Sequence, residues 1–249
     1  MAHISLQNVA ATYEILTVRD YNLKRRIVDA VRRDASSTTS IPALKGIHLD
    51  IPEGTRLGLV GANGAGKSTL LAIMAGLLPP TTGSVEVHGR VLALLGGAAA
   101  GLDQEATGRD NIISMGVQLG EQPAAMRGRV EDITEFSGLG ERIDHPVYSY
   151  SSGMQTRLRF SILTSLRPDI LLIDEGIGTA DAEFAERASR RLASFVSSAG
   201  IVVLASHGDE LLHQQCDTAV WLHRGMVNRS GPLRAVLEAY HNSIAGERV

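Results

Sequence analysis

The stretch Gly61-Ala62-Asn63-Gly64-Ala65-Gly66-Lys67-Ser68-Thr69 constrains this chain more than any other part of it. It follows the apolar run Leu57-Gly58-Leu59-Val60 and leads into Leu70-Leu71-Ala72-Ile73-Met74-Ala75. Strand, glycine-rich loop and helix, in that order, make a cradle for phosphate. The glycines let backbone N–H groups close around phosphate oxygens without Cβ clashes, and the opening helix adds the positive end of its dipole. Lys67 is placed to reach β- and γ-oxygens, and the Ser68 hydroxyl to ligate Mg²⁺. A chance glycine-rich turn would not need both flanks.

A metal-bound phosphate chain needs acidic partners. Asp169-Ile170-Leu171-Leu172-Ile173-Asp174-Glu175 reads as a short buried strand ending in two carboxylates. Carboxylates at the carboxyl end of such a strand lie on the edge where α/β folds bind ligands. Asp174 suits a water-mediated Mg²⁺ contact, and Glu175 suits a base that polarises an attacking water. The plainer alternative is an Asp-Glu pair that caps the next turn. Ile201-Val202-Val203-Leu204-Ala205-Ser206-His207 is another such strand, and a neutral His207 imidazole on the same edge can hydrogen-bond a terminal phosphate. Tyr150-Ser151-Ser152-Gly153-Met154-Gln155 opens the helical stretch Thr156 to Leu166. Unpaired N–H groups there form either a second anion site or an ordinary N-cap.

Composition sets limits. A chain of 249 residues fits one large α/β domain, or a core with an inserted helical subdomain. Apolar residues make up 44%, enough for a substantial core, and a net charge of −3 gives no electrostatic case for nucleic acid. The single cysteine, Cys216, excludes an internal disulfide, fits a reducing cytoplasm, and reads as a packed structural residue. The start, Met1 to Leu6, alternates like a strand rather than a leader peptide. No segment reaches the roughly 18 to 20 apolar residues that span a bilayer, so any membrane role is expected to run through another protein.

Along the chain, Ile4 to Thr12 begins an antiparallel β layer that Pro42 to Ile51 and Ser84 to Leu95 continue. Asn111 to about Leu166 reads as helical, with Pro123 at a helix start. Trp221 to Val227 is a closing hairpin turning at Arg224-Gly225, and Leu233 to His241 a last helix. Thr17 to Ser40 is an insertion: a basic helix with Leu23, Ile27 and Val31 four apart, followed by a polar linker from Ala35 to Ser40. That helix either meets anionic headgroups or a lipid-linked pyrophosphate, or simply packs on its own domain.

Together these segments resemble the ATP-binding subunit of ABC transporters, over nearly the whole chain. Gly61 to Thr69 is similar to Walker A, Ile170 to Glu175 to Walker B with the catalytic glutamate, and Tyr150 to Met154 to the signature motif. Gly178-Thr179-Ala180-Asp181 resembles the D-loop and His207 the switch histidine, while Tyr13 falls where the family places an aromatic that stacks on adenine. Tyr-Ser-Ser-Gly-Met at the signature, Asp174-Glu175-Gly176-Ile177-Gly178, and Thr107-Gly108-Arg109-Asp110-Asn111-Ile112 resemble the polysaccharide-exporter branch: O-antigen, capsule, teichoic-acid or galactan type.

The resemblance implies a P-loop NTPase core, a mixed sheet with helices, joined to an antiparallel β layer and an inserted helical subdomain. The core and layer are expected at 1–97 and 167–249, with the basic insertion at about 17–40 and the helical subdomain at 98–166. ATP and Mg²⁺ are the implied ligands, held by Tyr13, Gly61, Asn63, Gly64, Ala65, Gly66, Lys67, Ser68 and Thr69, with Ser68 and Asp174 toward the metal. Glu175, His207 and Lys67 are the implied catalytic residues. Ser151 and Gly153 would meet the nucleotide of a second copy in a head-to-tail homodimer, with Asp181 across the seam. An integral membrane permease would be the partner and a lipid-linked glycan its indirect substrate, at the cytoplasmic face of the membrane. One departure stands out: the family's glutamine after the strand at Val91 is missing, because Val91 to Gly101 holds no polar side chain and Gln104 comes too late. Because the sequence ends at Val249, the carbohydrate-binding domain of some relatives is not expected here. The other readings are an ATPase of another ABC system, a soluble ABC ATPase of DNA repair or translation, and a nucleotide-gated subunit without turnover.

Overall fold

The computed structural model describes residues 1–16, 38–95, 101–174, 182–206 and 208–246. Two sheets organise them. One is antiparallel, in the order β2-β1-β4: β1 (His3–Leu16), β2 (Thr38–Pro52) and β4 (Thr82–His88). The other has six strands in the order β5-β6-β7-β3-β8-β9: β5 (Val91–Leu94), β6 (Ile170–Asp174), β7 (Ile201–Ala205), β3 (Arg56–Val60), β8 (Thr218–His223) and β9 (Met226–Pro232). Its first five strands run parallel, and β9 returns antiparallel to β8.

Apolar residues on both faces explain the parallel sheet. Leu171 and Ile173 of β6 and Val202 and Leu204 of β7 pack into one core. Their neighbours Ile170, Leu172, Ile201, Val203 and Ala205 pack into a second core on the opposite face. The second core also holds the inner face of the antiparallel sheet and the helix α1 (Lys67–Met74), whose Leu70, Leu71, Ile73 and Met74 are buried. Burying one such side chain is worth about 1.5–3 kcal/mol, so α1 is gripped between the two sheets. The first core is covered by α2 (Gly108–Gln118), α3 (Pro123–Ser137), α4 (Ser152–Thr164), α5 (Ala182–Ser198), α6 (Asp209–Gln215) and α7 (Leu233–Gly246).

Strand β1 shows how alternation and register interact. Ala2, Ile4 and Leu6 point inward at period two, but the buried series then resumes at Val9 and Ala11. The phase slips at Asn8, whose φ of 52° inserts an extra residue where the pairing with β2 is also irregular. At the other end of the molecule, Arg224 and Gly225 take φ of 49° and 81°, the left-handed pair that a two-residue hairpin between β8 and β9 requires.

Three sequence expectations change. Ser84 to Leu95 is not one run of the β layer: β4 ends at His88, and β5 joins the parallel sheet beside β6. The Gly89-Arg90 turn separates them, and Asp169 fixes it by accepting from the Arg90 N–H at 2.7 Å. Residues 38–40 are not linker, because they pair with residues 14–16 and lengthen both strands past Thr12. Serine and threonine there read as a linker by composition, yet Thr39 and Ile41 are β-branched and suit a strand. The last helix runs on to Gly246. The basic stretch at 17–37 lies outside the described residues.

Cys216 is buried against α7, and burial pushes its thiol up to about 12. It is a packing residue. At pH 8 the native protein should therefore react with iodoacetamide roughly a thousandfold more slowly than the urea-unfolded chain, measured by intact mass. Equal rates would mean that the site opens freely.

Candidate functional site

The phosphate-type loop runs from the end of β3 to the start of α1 and is braced by backbone from two other places. Gly225 of the β8–β9 turn donates its N–H to the Ala65 carbonyl at 3.0 Å, and its own carbonyl accepts from Lys45 N–H at 2.8 Å. The loop is thereby tied to β2 and to the hairpin at once. A Cβ on Gly66, which has φ of 108°, would stand 2.7 Å from Leu44 Cδ2 and 2.9 Å from the Ala43 carbonyl oxygen. On Gly61 it would stand 2.3 Å from the Leu222 carbonyl oxygen. Both positions need glycine for closeness as well as for conformation.

Ala65 N–H bonds to the Ala62 carbonyl at 3.1 Å, which closes the turn. The N–H groups of Gly64, Gly66 and Ser68 find no acceptor among the described residues. They belong to the loop and to the first turn of α1, where the helix dipole also favours an anion. Lys67 is 93% buried, and its ammonium donates to the carbonyls of Gly61 at 2.6 Å and Ala62 at 3.3 Å. The loop thus carries its cation folded across its own mouth. Tyr13 is half exposed beside α1, its hydroxyl 3.3 Å from Thr69 Oγ1.

The parallel register carries the acid to the same edge. Asp174 ends β6 opposite Ala205 of β7, and Ala205 pairs in turn with Leu59 of β3. Asp174 therefore lies level with the end of β3, two strands away, or about 10 Å between strand axes. Its carboxylate is half-buried at the carboxyl edge of the sheet. Lys67, Ser68 and Asp174 thus share one edge. Glu175, Asp181 and His207 lie outside the described residues.

Ser151 and Gly153 sit elsewhere, at the start of α4. Ser151 is the N-cap of that helix, its Oγ accepting from Met154 N–H at 3.2 Å. The helix begins at Ser152 rather than Thr156, so the cap and the glycine fall in its first turn. The structure also gives the 107–112 segment a mechanical meaning. Thr107 caps α2, accepting from Asp110 N–H at 3.1 Å and donating to Asp110 Oδ2 at 2.6 Å. Buried Asn111 clamps the preceding loop, accepting from Asp103 N–H at 2.7 Å and donating to the Asp103 and Thr107 carbonyls, both at 2.9 Å. Arg109 grips Asp144 with two nitrogens at 2.6 and 3.2 Å and, through those hydrogen bonds, holds that carboxyl below its ordinary range. Tyr150, just before the cap, donates to the Arg142 carbonyl at 2.5 Å, and burial raises its phenol.

Gln104 joins the same frame. Its Oε1 accepts from Gln155 Nε2 at 3.3 Å, so it faces the first turns of α4. The clamp of Asn111 and the brace of Gly225 went unread in the sequence. The Thr-x-x-Asp cap spacing was visible in it; the contacts of Gly225 carry no local sign.

Known proteins can be set against this geometry. The sequence profile described as ABC transporter matches residues 44–178. The O-antigen export system ATP-binding protein RfbB of Myxococcus xanthus is 37% identical, over 98% of this chain and 57% of that protein. The teichoic acids export ATP-binding protein TagH of Enterococcus faecalis is 36% identical, over 90% of this chain and 51% of that one. The chain spans about half the length of these two relatives. The O-antigen export system ATP-binding protein RfbE of Yersinia enterocolitica, 36% identical, matches 91% of this chain and 97% of its own length. Among solved structures, the ATP-binding cassette MJ0796, a dimer in a post-hydrolysis state bound to ADP and Pi, superimposes with a TM-score of 0.66 at 22% identity, covering 93% of this chain and 99% of that one. An ATP binding subunit of an ABC transporter gives a TM-score of 0.69 at 20% identity, covering 96% and 93%. At such identities these structures speak for the fold alone.

The variant Gly66→Ala should lose about 1–2 kcal/mol from the left-handed backbone alone, a fall of roughly 2–8 °C in thermal midpoint. An unchanged melt would show that Leu44 and Ala43 give way without cost.

Proposed function

The chain belongs to the ABC transporter family, and on that premise we propose that it binds and hydrolyses ATP to power export of a lipid-linked polysaccharide through a separate membrane subunit. The observation that carries this reading is the shared edge: a braced phosphate loop with Lys67 and Ser68 at one end and Asp174 level with it across the sheet. The polysaccharide class rests on the names of the relatives, which serve O-antigen and teichoic-acid export.

In this mechanism the N–H groups of the loop and of the first turn of α1 receive the phosphate oxygens, and Lys67 swings from the Gly61 carbonyl to the β- and γ-oxygens. Tyr13 supplies an exposed ring for the adenine. Ser68 and Asp174 offer oxygen donors on one edge, a hard-ligand set that suits Mg²⁺, which would neutralise phosphate charge when bound. Glu175 orients and polarises the attacking water, and His207 contacts the terminal phosphate. Ser151 and Gly153 lie in the first turn of a helix outside this edge, and they serve the nucleotide of a second copy packed head to tail, with Asp181 at the seam. Loss of the terminal phosphate then releases that bridge.

The same reading assigns 1–97 and 167–249 to the core and β layer, and 98–166 to the helical subdomain that carries the signature turn. No helix among the described residues is long and apolar enough to cross a membrane. The chain works as a peripheral subunit on the cytoplasmic face, bound to its permease.

Steady-state ATPase assays and size-exclusion chromatography in MgATP test the proposal. Glu175→Gln should cut turnover by at least about 100-fold and accumulate a nucleotide-dependent dimer. Undiminished turnover in that variant would remove Glu175 from the role of base.

A further inference from the structure

A second concavity lies at the opposite edge of the parallel sheet. It is a cleft of about 1100 Å³ between α3, the end of α4 and α5. Arg167 stands just before β6, and Ser198 ends α5 just before β7, so the cleft opens where these strands begin.

Its charge is lopsided. Among the described residues, Arg129, Arg167, Arg187, Arg190 and Arg191 line it against one carboxylate, Asp132, in a chain whose net charge is −3. Three of the five stand on α5, Arg190 and Arg191 following Arg187 by three and four residues. Two of the five are already engaged. Arg191 lies 4.2 Å above the Phe136 ring and gives Asp132 two hydrogen bonds, at 2.6 and 3.4 Å. Arg129 holds Glu121 at 3.2 Å.

The other three are held less firmly. Arg187 stacks 5.8 Å from the Phe136 and Phe184 rings and has no carboxylate partner among the described residues. The Arg167 side chain has none either. Arg190 meets only Glu186, at 3.7 Å, with both side chains largely exposed, a pair worth little. Three guanidinium charges therefore border a cleft whose lining also includes Leu166 and Phe195.

We propose that this cleft docks an acidic segment of a partner protein, with two or three carboxylates along one face and an apolar side chain between them. The distribution of charge selects a peptide over a compact anion. The cations come from two separate elements, α5 and the link between α4 and β6, and an extended acidic segment can meet both. Asp132 displays the mode of recognition, its two oxygens taken by two nitrogens of Arg191. The proposal stands apart from the nucleotide reading, and its test leaves the phosphate loop filled.

Fluorescence anisotropy of a labelled peptide of glutamates and leucines, with MgADP saturating, reads the site directly. The wild-type chain should bind the probe, more weakly as salt rises. The triple variant R167E/R187E/R190E should bind at least about tenfold more weakly while still melting cooperatively, since all three side chains are exposed. If that variant folds poorly, the milder pair R167Q/R187Q should still weaken binding about threefold. Absence of wild-type binding, equal binding by folded variants, or displacement of the probe by micromolar inorganic pyrophosphate would overturn the proposal, the last by revealing a compact phosphate site.

Discussion

The junction of Ala65, Gly225 and Lys45 is the contact on which the rest of the site depends. Two backbone hydrogen bonds, at 3.0 and 2.8 Å, join the phosphate-type loop, the β8–β9 turn and β2. A glycine loop left to itself would sample many conformations, and each residue fixed costs about 1–2 kcal/mol of backbone entropy. Here that ordering is supplied by strands already held in two sheets. The open N–H groups of the loop are therefore held in place before any anion arrives, which is what makes preorganised dipoles effective.

The layered core places the other half of the chemistry. Because β6, β7 and β3 are parallel and in register, every residue at their carboxyl ends lies on one line. Asp174 is brought level with the loop by sheet geometry alone, without any direct bond between the two segments having to be invoked. The helical group is positioned differently, by side chains: Asn111 on its loop, Arg109 on Asp144 and Tyr150 on Arg142. One half of the molecule is aligned by backbone, the other by polar clamps.

This division explains what could be read in advance. Contiguous signals carried well: the loop at residues 61–69, the strands at 170–174 and 201–205, the Arg224-Gly225 turn and the Pro123 helix start all appear in the fold. Signals that depend on distant pairing did not. Residues 38–40 became strand only because residues 14–16 continue β1 alongside them. The segment 91–94 left the β layer because β6 offered a parallel partner some 80 residues away. Gly225 looked like turn chemistry and proved to be a support for the phosphate loop as well.

The same junction has a consequence for the order in which the molecule is made. Residues 61–69 leave the ribosome early, yet the turn that braces them lies about 160 positions further along the sequence. Domains form as their contacts become available, and contacts of such long sequence separation come late. The loop can be synthesised, and α1 can coil, long before Gly225 reaches them. Until then the nascent chain has the residues of a phosphate cradle without its full bracing, and the site is complete only once the closing hairpin has docked.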